Sequence, residues 1–125
     1  MEPLILCVNM EKGRLMRFSF LAMAWGVRVR AVDDRELGQT LAALCGLEPM
    51  RENAPSIRIK DDMMVMAFFP DGLIDQWLLA MRKSGLPPVR LKAVLTPTNR
   101  AWTCGQLHAM LSQEAAFFAK KEKRP

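Results

Sequence analysis

The sequence has one histidine, His108, and three cysteines, Cys7, Cys45 and Cys104, none of them in a Cys-x-x-Cys pair. A zinc centre needs several His or Cys ligands at short spacing, so no metal is expected. Odd, scattered cysteines argue against a disulfide framework and for reduced thiols in a cytoplasm. No apolar run reaches the length of a membrane span. Met1-Glu2-Pro3-Leu4 places no basic stretch before the first apolar run, which argues against a signal peptide. Also missing are Gly-x-Gly-x-x-Gly, a Gly-rich loop ending in Lys-Ser/Thr, and Gly-x-Ser-x-Gly. Three common routes to nucleotide binding or hydrolysis are therefore absent, and no catalytic residue or cofactor is assigned.

Positive charge is present but badly placed for a nucleic-acid surface. Of the net charge of +5, the stretch Lys120–Arg124 carries +3, which leaves +2 for the body. A nucleic-acid footprint is a patch on a folded body, so that partner is not expected. Residues 120–125 read as a basic flexible tail, and 1–119 as one α/β domain.

What is there is a plan stated twice. "LILCVN" at Leu4–Asn9 is an apolar run fit for a buried strand, and Gly13–Trp25 reads as a helix closed by Gly26. "VRVRAV" at Val27–Val32 is a second strand, followed by a helix from Asp33 and Glu36 to Cys45, before Gly46. After a connector at 47–62, "MMVMAFF" at Met63–Phe69 is again an uninterrupted apolar strand. A helix from about Gly72 to Ser84 follows, with Leu73, Ile74, Trp77, Leu78 and Met81 on one face and Asp71 as its cap. "VRLKAV" at Val89–Val94 echoes the second strand at four of six positions. Thr103 and Gln106 form a capping box for a last helix carrying Leu107, Met110 and Leu111.

The expected architecture is a four-stranded sheet from two strand-helix-strand-helix repeats, about 4–46 and 63–119. The two wholly apolar strands, the first and third, should be central, since both their faces must be covered. In the echo strand, Val89, Leu91, Ala93 and Leu95 should share one face, and Arg90, Lys92 and Val94 the other. Alternating strands and helices favour an open parallel sheet with order 2-1-3-4. Duplication favours instead a ferredoxin-like α+β fold with an added helix, whose middle strands are antiparallel.

The candidate ligand site is the turn Thr96-Pro97-Thr98-Asn99, between the fourth strand and a capped helix. Such positions collect ligands in open α/β sheets, and a helix start offers N–H groups to an anion. Lys92 would supply charge, Thr96, Thr98 and Asn99 hydrogen bonds, and Trp102 a stacking face. Asn9 and Asp71 would join them if the central strands ran parallel. The expected ligand is a small anion or nucleotide-like molecule, bound by a non-enzymatic regulatory domain. The bland reading is that Thr-Pro-Thr-Asn is simply good turn chemistry.

An alternative is an adaptor that works by protein contact. Phe18, Phe20, Leu21, Met23 and Trp25 cover most of the first helix, more apolar surface than a small domain hides, so a homo-oligomer is expected. A weaker alternative is a thiol enzyme using Cys104, near a helix start, with His108 four residues on. The acidic pairs Asp33-Asp34 and Asp61-Asp62 read as turn and cap residues.

Three stretches resemble a known family: "DDMMVMAFF" at Asp61–Phe69, "LKAVLTPTNRAWT" at Leu91–Thr103 and "QLHAMLSQE" at Gln106–Glu114. They are similar to the domain of unknown function 3783 family of small bacterial proteins. The resemblance implies a bacterial, cytoplasmic setting. It supplies no catalytic or ligand residue to carry over.

Overall fold

The structure, a computed structural model, describes residues 1–122, with side chains through Ala119. The side chains of the expected tail, 120–125, lie outside the described residues. The chain runs β1 (Leu4–Val8), α1 (Lys12–Ala24), β2 (Arg28–Val32), α2 (Leu41–Leu44), β3 (Met63–Ala67), α3 (Leu73–Lys83), β4 (Leu91–Val94), a 3-10 turn (Asn99–Ala101) and α4 (Cys104–Glu122). The sheet order is β2-β1-β3-β4. Every residue of β1 and β3 is buried, as their uninterrupted apolar sequences require of central strands.

Strand direction departs from the parallel expectation. β1 pairs parallel with β2 and β3 parallel with β4, but β1 and β3 are antiparallel. Nor is the sheet ferredoxin-like, because each outer strand pairs with the strand that precedes it in sequence. The cause lies between β2 and β3. A parallel β3 would need the chain carried back along the sheet, about 17 Å for a five-residue strand. α2 is one turn, only about 6 Å long. The connector stays at the end where β1 and β2 finish, held there by Ile57 N–H on Asp34 O (3.0 Å) and Asn9 Nδ2 on Lys60 O (2.8 Å).

Helices cover both faces. Against one pack Phe18 and Ala22 of α1 with Trp77 and Met81 of α3, over Ile5, Cys7, Met64 and Met66. Phe18 meets Trp77 edge to face, ring centroids 5.2 Å apart. Against the other pack Leu41, Leu44, Cys104 and Leu107 of α2 and α4, over Leu4, Leu6, Val8, Met63 and Val65. Gly26, at φ 70°, lets α1 end in paired bonds, Val27 N–H on Ala22 O and Gly26 N–H on Met23 O.

The helix expected from Asp33 to Cys45 is mostly turn. Arg35 N–H donates to Asp33 Oδ1 and Asp33 N–H to Glu36 Oε1, as a capping box would, but regular helix begins only at Leu41, capped by Thr40 Oγ1. The intervening backbone bonds elsewhere. Leu37 O and Gln39 O accept from Gly105 N–H and Cys104 N–H, both at 2.9 Å. Gly38 passes so close to Pro55 that a Cβ would lie 2.5 Å from its carbonyl oxygen.

The echo between "VRVRAV" and "VRLKAV" is out of register in space. Arg28 lies opposite Leu4, and Leu91 opposite Met63, so first strand positions correspond to residues the echo would offset by one. Val29 thus packs on the α1–α3 face and Leu91 on the α2–α4 face. The chain bends at Arg90, and Val89, expected on the same face as Leu91, packs on the opposite one.

Candidate functional site

The Thr96–Asn99 turn is held by its own side chains. Thr96 N–H donates to Asn99 Oδ1 (2.8 Å), Asn99 N–H to Thr96 Oγ1 (3.0 Å), and Asn99 Nδ2 to Val94 O (2.9 Å). Asn99 is buried at 7 % exposure. Its amide carries the bonds that a ligand would have used.

The start of α4, the other half of the expected anion site, is occupied as well. Thr103 N–H donates to Gln106 Oε1 and Gln106 N–H to Thr103 Oγ1, the expected capping box. Cys104 and Gly105 N–H are taken by the carbonyls of Gln39 and Leu37. A helix start whose donors are already bonded presents nothing to an anion.

The other candidates scatter. Trp102 is half-buried against the α2–α4 core, and its carbonyl accepts from Leu41 N–H (2.9 Å), so it ties α4 to α2 instead of offering a stacking face. Thr98 is exposed. Thr96 borders an open cavity of about 290 Å³ with Phe68, Val94 and Arg100. Lys92 lies beside Arg82 and Leu86 in a different cavity of about 470 Å³. Asn9 and Asp71 end up at opposite ends of the sheet, because Val8 pairs with Met63 and Leu4 with Ala67. Asn9 binds the connector, and Asp71 does not cap α3, whose N-cap is Gly72 in a left-handed conformation without a side-chain bond.

The Cys104–His108 pair does not form a nucleophile and its base. Cys104 is fully buried, and burial, with Cys45 close by, pushes its thiol up to about 12. A nucleophilic thiol needs the opposite shift. His108 Nε2 lies 3.1 Å from Asp61 O, a structural contact between α4 and the start of β3. Cys7 and Cys45 are also unpaired and buried, raised by burial to about 12 and about 11. No group of three or more His, Cys, Asp or Glu that could hold a metal occurs among the described residues.

Sequence reasoning missed the Arg14–Asp62 clamp. Arg14 Nη1 sits 2.6 Å from Asp62 Oδ2, while Arg14 Nη2 donates to Pro87 O and Pro88 O. Asp62 O accepts from Leu91 N–H, so one ion pair joins α1 to the starts of β3 and β4. Asp61 pairs with Arg90 at 3.2 Å. Neither aspartate is the simple turn residue it resembles in sequence, and no local pattern signals a partner some fifty residues away.

Of the five aromatic and aliphatic residues expected at an interface, Phe18 is core, 1 % exposed, and Leu21 is half-buried. Phe20, Met23 and Trp25 are exposed, and Met16 joins them. Met16, Phe20 and Met23 follow helical spacing, so α1 carries a second apolar stripe opposite its buried one. No helix of the described residues is long and apolar enough to cross a membrane.

Residues 62–118, from the start of β3 through most of α4, match the family model described as Domain of unknown function (DUF3783). No match to the chain was found among curated proteins or solved structures.

Proposed function

We propose that the chain, whose residues 62–118 match the model of the domain of unknown function 3783 family, is a non-catalytic interaction module that self-associates through α1, an element outside the matched residues. The observation that carries this reading is the outer stripe of that helix, where Met16, Phe20 and Met23 are 63 %, 66 % and 70 % exposed. Contiguous exposed apolar surface of this kind marks protein contact in a water-soluble fold. Trp25 extends the stripe to the helix end. The occupied start of α4 and the inward-bonded Asn99 weigh against the anion-binding turn as the working site. Three unpaired thiols support a reducing, cytoplasmic setting.

Sedimentation equilibrium of the wild-type chain and of a Phe20→Glu/Met23→Glu variant tests the proposal. The wild type is expected to exceed the monomer mass, and the variant to be monomeric with an unchanged melting temperature. A wild-type chain that stays monomeric at the highest attainable concentration would overturn it.

A further inference from the structure

α3 lies over β3 and leaves the outer strand β4 partly uncovered on that side. The uncovered ground is the cavity of about 470 Å³, within the size range of small-molecule sites. Its wall is apolar, from Leu78 and Met81 of α3, Leu86 of the following loop and Val89 before β4. Its polar groups include two cations, Arg82 and Lys92. Neither forms an ion pair among the described residues. The neighbouring acids Asp61 and Asp62 are engaged by Arg90 and Arg14.

The two cations are not equivalent. Arg82 and Lys83 lie in the last turn of α3, where they offset the partial negative charge of the helix end. Lys92 projects from the middle of a strand and answers no such charge. An apolar wall beside an unopposed ammonium is complementary to a molecule with an apolar body and one negative group.

From this we infer that the cavity binds a small amphipathic monocarboxylate, its carboxylate on Lys92 with Arg82 as the second contact, and its aromatic or branched aliphatic body against Met81, Leu78 and Val89. The site is separate from the outer stripe of α1, so it stands or falls independently of self-association.

Matched titrations of the full chain with 4-phenylbutyrate, 4-phenylbutanol and 4-phenylbutylamine, followed by amide chemical shifts, test it. The acid is expected to bind, with shifts centred on residues 78–92, and the alcohol and amine to bind more weakly in that order. Lys92→Gln should weaken the acid about five-fold, the scale of one partly solvated charge contact, and Arg82→Gln less. Lys92→Glu should reverse the preference, so that the amine binds better than the acid. Both Lys92 variants alter an exposed side chain, so the fold is retained. Equal affinity for acid and alcohol, shifts centred elsewhere, no binding by any of the three, or an unreversed preference in Lys92→Glu would each overturn the assignment.

Discussion

Asn9 and Phe68 hold the same place in the two halves of the sheet. Each is the first residue after a central strand, and each turns left-handed, at φ 58° and φ 63°. Asparagine adopts that geometry readily and phenylalanine does not. Phe68 therefore carries backbone strain that Asn9 avoids, and packing against the α2–α4 core holds it there. Phe68→Asn should cost less stability than Phe69→Asn at the next, equally half-buried position, by about 1–2 kcal/mol. Urea unfolding of the two variants compares them, and equal costs would remove the claim of strain.

The Arg14–Asp62 pair is half-buried, its side chains 18 % and 17 % exposed. Screening is partial there, and Arg14 also holds the Pro87 and Pro88 carbonyls. Asp62→Asn is expected to destabilise the domain by about 1–2 kcal/mol, between the worth of a surface pair and that of a broken buried one. Protection of the Leu91 amide against hydrogen exchange should fall with it. A change within error in both would mean that the clamp adds nothing to the fold.

Asn99→Ala removes both side-chain bonds of that residue, one to Thr96 N–H and one to Val94 O. At about 1 kcal/mol for each net hydrogen bond, with a further cost for the amide left unpaired, a loss of about 2–3 kcal/mol is expected. Thermal or urea denaturation measures it. A stable variant would reopen the turn as a ligand site.

The thiols supply a pH dependence whose sign follows from burial. All three are raised from an ordinary value of 9.0, Cys7 and Cys104 to about 12 and Cys45 to about 11. Above pH 9 the unfolded chain loses thiol protons that the folded chain keeps, so the thiols' contribution to stability is level below that point and falls from pH 9 through 11–12. Urea midpoints for the wild type and Cys104→Ala between pH 8 and 11 should converge as pH rises, since the variant lacks one of these groups. Native-state alkylation of Cys104 should be slow and should accelerate only on unfolding. Rapid labelling of the folded protein near neutral pH would contradict the buried, protonated thiol.

Much of the architecture was legible from local pattern. The runs "LILCV" and "MMVMA" demanded burial on both faces, which made β1 and β3 central. Helical spacing in Leu73–Met81 marked the inner side of α3, and Thr103 with Gln106 marked the start of α4. The candidate site was less legible. Thr96 and Asn99 were visible as a polar cluster, but which groups their side chains bond depends on where Val94 O lies, and the α4 N–H groups were closed by Leu37 and Gln39 from a distant segment.

The sequence by itself determined the two central strands, the first, third and last helices and the centre of the sheet, because each rests on side-chain type at a fixed local period. Only the tertiary structure decided the antiparallel meeting of β1 and β3, the one-residue offset of the echo strands, the inward face of Phe18 and the pairing of Lys92 with the α3 cavity. Those depend on how far a one-turn α2 and a tethered connector can carry the chain, and on which surfaces then face each other. Such distances between remote segments leave no period in the sequence to be read.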